Sequence, residues 1–431
     1  MNRYESYKET GVQWIGEIPR HWGISRLKFL SNKLRSGGTP KADNSNFYTD
    51  ESGTPWVAIA DMSTVDFVKE TEKHLTEAGL KDKNLQIYPA GTLLYSIYAT
   101  LGKVAELSIP AAINQAILAI SLKKKYLQSF CKYVLKAQEK FVIGLASTNT
   151  QANLNAEKVS NYYMPVPPLE EQKAIADFLN AKTSELDAEK QNLQKQIEVL
   201  SELRQVIITN IVTKGIDNAV KTKDSGQDWI GNIPLHWKAK RFKYIGKCHN
   251  GLTYSPNDVC DENEGVLVLR SSNIQNSKLS FEDNVYVKTV PSKLMVKKGD
   301  VIICSRNGSI SLVGKSAYVD EDINATYGAF MLRFRTNEDS KFMYYLLQQA
   351  IKFYKGLCFT TTVNQLTNEI FDNMWGVVPP IDEQKAIADY LDKKTAEIDE
   401  QIQLQEQQIK LIDELKQSII SQAVTGKIKV F

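Results

Sequence analysis

The chain has 431 residues, of which 42% are hydrophobic and 24% are charged, and its formal net charge is +3. This length predicts at least two folded units, and the composition excludes an intrinsically disordered chain. No apolar run approaches the roughly 20 residues that span a bilayer, the polar first 22 residues contain no secretion signal, and the five cysteines are widely spaced. We therefore expect a cytoplasmic protein without a disulfide framework, a metal site or a cofactor.

Charge is distributed unevenly along the sequence. Residues 20–165 carry 18 basic and 12 acidic side chains, and residues 235–378 carry 18 and 14. By contrast, residues 169–215 and 381–431 have net charges of −2 and −3. Two basic blocks therefore alternate with two acidic segments. A basic block is typical of a surface that approaches phosphates, although this excess is modest.

One internal repeat, with a period of about 212 to 215 residues, divides the chain into halves. WIGEIPRHW at 14–22 matches WIGNIPLHW at 229–237 in seven of nine positions. PVPPLEEQKAIADFLNAKTSELD at 165–187 matches VVPPIDEQKAIADYLDKKTAEID at 377–399 in 15 of 23 positions. The segments between these motifs have largely diverged. The repeat therefore predicts one architecture that carries two different specificities.

The basic blocks between the motifs have the pattern of mixed α/β structure with many short strands. Apolar runs, two of which follow turn glycines, predict buried strands at 55–60, 92–96, 265–270 and 300–304. Asp339 and Ser340 predict a turn or an N-cap before a helix at 341–355.

A long heptad-patterned helix follows each basic block. Hydrophobic residues recur at seven-residue spacing from Leu179 and from Leu391, and neither Gly nor Pro interrupts residues 169–212. One helix of about 66 Å is expected there. We expect the two helices to pair with each other, with packing of each on its own block as the alternative. Polar side chains that would weaken this coil and set its register occupy four inward positions: Lys190, Arg204, Gln405 and Lys416.

Catalytic and cofactor motifs are weak in this sequence. Residues 308–316 resemble a phosphate loop, but five residues separate the glycines instead of four, and a strand-like segment follows. No GxGxxG stands between a strand and a helix. His21 and His236 occupy matched positions without an accompanying fixed carboxylate. We expect both to be structural, with the neighbouring tryptophans clamping an extended Ile-Pro segment onto the helix pair.

Polar loops near predicted strand ends recur in both basic blocks. Arg can read guanine and Asn or Gln can read adenine in the major groove, while Ser and Thr position phosphates. Any one loop alone is explained as an ordinary turn, and the recurrence favours DNA binding. The candidate DNA-binding residues are Ser36, Gly38, Thr39, Asp61, Lys103, Thr148, Asn149 and Gln151 in the first block, and Arg270, Ser271, Asn273, Ser305, Arg306, Asn307, Lys315, Thr361 and Asn364 in the second.

The duplicated motifs resemble the specificity (S) subunit of type I restriction-modification enzymes over essentially the full chain. In each half, the tryptophan motif precedes a variable block, and VPPLEEQKAIADFL or its counterpart leads into a long helix. The resemblance implies an α+β protein with two similar mixed α/β target-recognition domains. It also implies that two long helices join these domains as an antiparallel coiled coil with an internal pseudo-twofold repeat.

The same resemblance implies a non-catalytic subunit that binds a bipartite, asymmetric site in double-stranded DNA. Its implied partners are two methyltransferase (M) subunits docked on the helices, with restriction (R) subunits in the full complex. The expected domains are residues 1–166 and 216–378 for target recognition, and 167–215 and 379–431 for the spacer helices. A stand-alone DNA-modifying enzyme and a coiled-coil scaffold that never touches nucleic acid are the alternatives.

Overall fold

The computed structural model describes residues 3–50, 52–147, 154–217, 219–358 and 365–431. The chain forms two compact units: unit 1 comprises Met1–Leu193 and Glu406–Phe431, and unit 2 comprises Gln194–Gln405. Each of the two long helices therefore contributes one segment to each unit. The four domain boundaries expected from the sequence stay a prediction.

The α-helices of the described chain range from one turn to 46 residues. They are α1 (Leu27–Leu30), α2 (Ile59–Ser63), α3 (Glu77–Asp82), α4 (Gln128–Ser147), α5 (Ala156–Ser160), α6 (Leu169–Lys214), α7 (Ser340–Cys358), α8 (Asn368–Asn373) and α9 (Ile381–Val424). Helix α6 confirms the uninterrupted helix expected at 169–212, and α7 contains the one expected at 341–355. Asp339 acts as its N-cap, because its Oδ1 accepts a hydrogen bond of 2.9 Å from the amide of Phe342.

Unit 1 contains two main sheets, with strand orders β4-β12-β9-β10-β7 and β11-β6-β8-β5. The strands of the first half are β1 (Tyr7–Glu9), β2 (Glu17–Pro19), β3 (Gly23–Arg26), β4 (Ser31–Ser36), β5 (Tyr48–Thr49), β6 (Thr54–Val57), β7 (Phe67–Val68), β8 (Lys73–Leu75), β9 (Leu93–Ser96), β10 (Val104–Leu107), β11 (Ala112–Ile113), β12 (Ile117–Leu122) and β13 (Tyr163–Val166). Helix α4 packs its Phe130 and Val134 into one core with Tyr95 and Leu118 of the larger sheet.

Among its described residues, unit 2 repeats this topology except for a counterpart of β7, with strand orders β17-β26-β23-β24 and β18-β22-β19-β25. The strands of the second half are β14 (Thr222–Asp224), β15 (Asn232–Pro234), β16 (Lys238–Arg241), β17 (Gly246–Asn250), β18 (Val259–Cys260), β19 (Val266–Leu269), β20 (Ile274–Gln275), β21 (Lys278–Leu279), β22 (Tyr286–Val287), β23 (Val301–Cys304), β24 (Ser316–Tyr318), β25 (Ala325–Tyr327), β26 (Met331–Thr336) and β27 (Trp375–Val378).

The smaller sheets match strand by strand, and four strands of the larger sheet, β4-β12-β9-β10, match β17-β26-β23-β24, although the sequences of these segments have diverged. The four predicted strands are confirmed as β6, β9, β19 and β23. One boundary was wrong, because Ile59 and Ala60 begin helix α2 instead of continuing β6. The segment that resembles a phosphate loop is a turn between β23 and β24, with Gly314 at φ +84°.

A segment that we call the strap, residues 4–22 in unit 1 and 219–237 in unit 2, packs against both long helices within its unit. In unit 1, the fully buried Trp22 donates its indole N–H to Glu171 Oε2 of α6 at 2.8 Å. His21 Nε2 lies 2.7 Å from the other oxygen of the same carboxylate. Tyr4 donates its hydroxyl to Glu171 Oε2 at 3.0 Å, and burial together with the Glu171 charge raises the pKa of Tyr4.

The same arrangement occurs at the corresponding place in unit 2. Trp237 Nε1 donates to Glu383 Oε2 of α9 at 2.8 Å, and His236 Nε2 lies 2.7 Å from Glu383 Oε1. The expectation that no fixed carboxylate accompanies the histidines was therefore wrong. Each glutamate holds its strap to the first turn of a long helix, which agrees with the structural role expected for the histidines.

Within unit 1, the segments of α6 and α9 run antiparallel. Lys416 Nζ lies 2.6 Å from Asp187 Oδ1, and Lys190 Nζ lies 2.8 Å from Asp413 Oδ1. Residue numbers rise along α6 as they fall along α9. The core of this unit accordingly joins Leu179, near the start of α6, to the end of α9.

Within unit 2, the segments of the same two helices are also antiparallel. Arg204 Nε lies 2.9 Å from Asp399 Oδ1, and Gln405 Nε2 donates to Gln196 Oε1 at 3.0 Å. All four polar residues predicted in the inward positions therefore contact the opposite helix. Exposed pairs of this kind stabilise by about 0.2–1 kcal/mol each, so their main effect is to select the register.

Candidate functional site

A cleft of about 1210 Å³ lies in unit 2 at the edge where β19 and β23 end. Arg270 and Ser271 follow β19, Arg306 and Asn307 follow β23, and Phe330 lies in the turn before β26. These residues come from distant parts of the sequence. They meet because β23 pairs with β26 in one sheet and β19 pairs with β25 in the other. Four of the predicted DNA-binding residues therefore share one surface.

Hydrogen bonds connect the two loops that form this cleft. Asn307 Nδ2 donates to Ser271 Oγ at 3.2 Å, which joins the end of β23 to the end of β19. Lys315, in the following turn, directs its Nζ to the Ser271 carbonyl oxygen at 3.5 Å. The predicted residues Ser271, Asn307 and Lys315 therefore position one another.

The two arginines of the cleft differ in what they contact. Arg270 forms an ion pair of 2.8 Å with Asp283. Hydrogen bonds from Arg270 and Ser272 hold the pKa of the Asp283 carboxyl below its usual value. The guanidinium of Arg306 instead lies 5.3 Å from the centre of the Phe330 ring, in stacking range.

Two predicted residues of unit 2 are corrected by their burial. Asn273 is 0% exposed, and its amide donates to the backbone oxygens of Ser280 and Asp283. Ser305 is 2% exposed. Neither side chain can reach a base from this position, so both belong to the framework of the cleft.

In unit 1, the predicted residues Ser36, Gly38 and Thr39 lie where β4 ends and the backbone crosses close to the other sheet. A Cβ atom on the neighbouring Gly37 would lie 1.8 Å from the carbonyl oxygen of Ile113, so only glycine fits. The corresponding glycine of unit 2 has the same role, since a Cβ on Gly251 would lie 2.2 Å from a backbone oxygen.

The predicted residues Asp61 and Lys103 have partners inside unit 1. The Asp61 carboxylate accepts backbone hydrogen bonds from Ala58 at 2.7 Å and Glu72 at 3.2 Å, which fixes the start of α2. Lys103 Nζ lies 2.6 Å from Glu139 Oε1 on α4. Both side chains are therefore explained by the fold, and Asp61 would also repel a phosphate. The other candidates, Thr148, Asn149, Gln151, Thr361 and Asn364, lie outside the described residues.

Strand register identifies one residue of the cleft, Phe330, that the sequence patterns did not indicate. The amide of Ile97 donates to the Ala116 carbonyl at 2.8 Å in unit 1, and that of Ser305 donates to Phe330 at 2.9 Å in unit 2. These matched hydrogen bonds show that Ala116 and Phe330 occupy structurally equivalent positions in the two units. A 60% exposed phenylalanine at this edge is therefore a special feature of unit 2.

The part of the chain that the structure describes lacks two general features. There, no group of three or more His, Cys, Asp or Glu side chains is arranged to hold a metal ion. No helix among the described residues is long and apolar enough to cross a membrane.

Comparison with known proteins assigns the family. The profile of the type I restriction modification DNA specificity domain matches residues 19–199 and 234–411, one match in each half. The chain belongs to this family, the specificity subunits of type I restriction-modification systems. Such subunits recognise DNA, are not themselves catalytic, and work with modification and restriction subunits. A stand-alone enzyme or a scaffold is not favoured.

Individual relatives agree with this assignment. The type I restriction enzyme MjaIX specificity subunit of Methanocaldococcus jannaschii is 23% identical over 99% of this chain and 98% of that protein. The EcoKI specificity subunit of Escherichia coli is 27% identical over 46% of this chain and 44% of that protein.

Solved structures confirm the fold. A chain from a structural study of the assembly and conformational transition of the type I R-M system matches with a TM-score of 0.73 and 16% identity, over 95% of this chain and 99% of that chain. The HsdS subunit from Thermoanaerobacter tengcongensis matches with a TM-score of 0.51 and 16% identity, over 95% of this chain and 98% of that chain. The predicted α+β fold class is therefore confirmed.

Proposed function

We propose that this chain reads a two-part, asymmetric site in double-stranded DNA, with one half read by each basic block. The observation that carries this proposal is that two units with matching strands β9 and β12, and β23 and β26, present different side chains at the same sheet edge. Unit 2 has Phe330 where unit 1 has Ala116. Because the two units share a backbone framework but carry different side chains at the sheet edge, they are expected to read two different half-sites. Residues 1–166 and 216–378 would be the two target-recognition domains.

Base reading by unit 2 is assigned to the cleft at the ends of β19 and β23. Arg306, Asn307 and Ser271 supply hydrogen-bonding groups for a base or a phosphate. Ser36 and Thr39 are the retained candidates of unit 1. In this proposal, Arg270 and Lys103 act mainly through their existing ion pairs.

The spacer helices, residues 167–215 and 379–431, are proposed to set the distance between the half-sites and to dock two M subunits. An R subunit would join the larger complex. The antiparallel pairing found within each unit supports this role, since a paired rod resists bending better than a single helix. Half-site centres about one turn of DNA apart, roughly 34 Å, are expected. Each M subunit would then methylate one adenine.

Selection from a random duplex library with the purified full chain, alone and together with its M subunit, tests this function. We expect two short, different motifs separated by an unread spacer of constant length. Replacing residues 238–375 with the same block of another specificity subunit should change one motif and leave the other unchanged. A single continuous motif, or two motifs that change together, would contradict the proposal. Absence of salt-dependent binding to DNA would indicate a scaffold instead.

A further inference from the structure

Arg306 and Phe330 form a cation–π pair in the lining of the unit 2 cleft. The guanidinium carbon lies 5.3 Å from the ring centre, and Phe330 is 60% exposed. The backbone holds the pair together, because the amides of Ser305 and Arg306 both donate to the Phe330 carbonyl, at 2.9 and 3.2 Å. The arginine is therefore fixed at its own backbone and at its planar head group.

The N–H groups of Arg306 have no acidic partner among the described residues, whereas those of the neighbouring Arg270 do. Arg270 is committed to Asp283, through an ion pair of 2.8 Å and a second hydrogen bond to its carbonyl at 2.9 Å. Among the described residues, no carboxylate lies within ion-pair distance of Arg306, and none accepts a hydrogen bond from its side chain. A guanidinium stacked on a ring keeps its donors in one plane and directed sideways, which is the geometry of bidentate recognition.

The walls around this pair are mainly apolar. Leu252, Pro256 and Val259 line one side of the cleft, and Met331 adjoins Phe330. Apolar walls exclude water from the arginine and strengthen its hydrogen bonds to a ligand. A phosphate ligand would need no stacking ring and no apolar wall, because point charges on flexible side chains suffice for it.

We propose that Arg306, positioned over the Phe330 ring, reads a guanine through its O6 and N7 in the half-site that unit 2 binds. This inference rests on the proposed function and adds the base and the residue. Unit 1 has Ala116 at the place of Phe330, and the exposed Tyr98 follows its strand β9 as Arg306 follows β23. Unit 1 therefore lacks this pair, and its half-site contains no guanine read at the matching position.

The test repeats the library selection with Arg306→Gln, Arg306→Lys and Phe330→Leu variants of the full chain. For Arg306→Gln, preference for guanine at one position of one half-site should fall by about 5- to 150-fold, which is the range for one bidentate base contact. Arg306→Lys keeps the charge and should still lose most of this preference. Phe330→Leu should weaken it by about 2- to 30-fold, the range for a cation–π contact. Lys298→Gln, a charge change at the opposite end of β23 from the cleft, should leave every base preference unchanged.

Two other outcomes have definite meanings. If Arg306→Gln weakens binding to all sequences equally and lowers the salt slope by about one, Arg306 contacts a phosphate and the inference is overturned. A guanine preference that survives both Arg306 variants overturns it as well. If the unmodified chain selects no motif at all, the proposed function itself fails, which is a different result. Circular dichroism on each variant separates these outcomes from misfolding.

Discussion

Removing the carboxylate of Glu171 should loosen the strap of unit 1 without unfolding the rest of the unit. In Glu171→Ala, the indole N–H of the fully buried Trp22 loses its acceptor, and Tyr4 loses its hydroxyl partner. An orphaned buried donor costs about 1–3 kcal/mol, and bonds to a charged group lie toward the upper end. The half-buried Tyr4 can turn to water, so we expect a total of about 2–4 kcal/mol. Glu171→Gln keeps one acceptor and should cost about 1 kcal/mol.

Amide hydrogen exchange read by mass spectrometry measures this loss locally. If the free energy of local opening of the strap falls by about 2–4 kcal/mol, exchange in peptides covering residues 4–22 should become about 30- to 700-fold faster. Each 1.4 kcal/mol changes the opening equilibrium tenfold. The matched variant Glu383→Ala should accelerate residues 219–237 and leave residues 4–22 unchanged. Unchanged exchange in the strap of Glu171→Ala, or equal acceleration throughout the unit, would refute the reasoning.

The helix pair gives two further predictions. Asp187→Lys and Lys416→Asp should each lower the midpoint of thermal unfolding, and the double variant should recover most of the loss. The ion pair is worth about 1 kcal/mol, and each single variant places two like charges together. Calorimetry measures the midpoint. If the double variant did not recover the midpoint, a role for this pair in setting the register would be excluded. Inserting four residues after Lys190 and four before Asp413 adds about 6 Å of helix. Selected DNA sites should then contain about two more unread base pairs between unchanged half-sites, and an unchanged spacer would contradict the proposed spacing role.

The helices and the strap were predictable because their signals are local and repeated. Heptad spacing from Leu179 and Leu391 placed most of the inward positions, but toward the helix ends Ile208, Val212 and Ile420 are buried instead of Ile207, Ile211 and Ile419. The polar exceptions in this pattern, such as Lys190, were the residues that pair across helices. Glu171 and Glu383 also occupy matched places in the duplicated motif. Their matched places were a signal, but position in the sequence alone does not show that a carboxylate faces the strap.

The candidate interface was predictable only in part, because loop composition does not determine burial. Asn273 and Arg306 are both polar residues after a strand, yet one is 0% exposed and the other is open to solvent. Asn273 is enclosed by the segment that follows it, at Ser280 and Asp283, whereas Arg306 lies at the open edge of the paired strands β23 and β26. Phe330 was missed for the same reason, since its proximity to Arg306 is a consequence of sheet register.

Unit 1 is assembled from two separated pieces of chain, whereas unit 2 is continuous. Ile420 and Val424 share a core with Ile15 and Trp22, and Tyr7 donates its hydroxyl to the Gly426 carbonyl at 3.0 Å. During translation, the ribosome must make all of Gln194–Gln405 before this core can close. At ordinary elongation rates that interval is about 10–40 s, during which the nascent first half exposes an uncovered apolar surface. Chaperone demand should therefore fall on the half that is synthesised first, even though it is the half that finishes folding last.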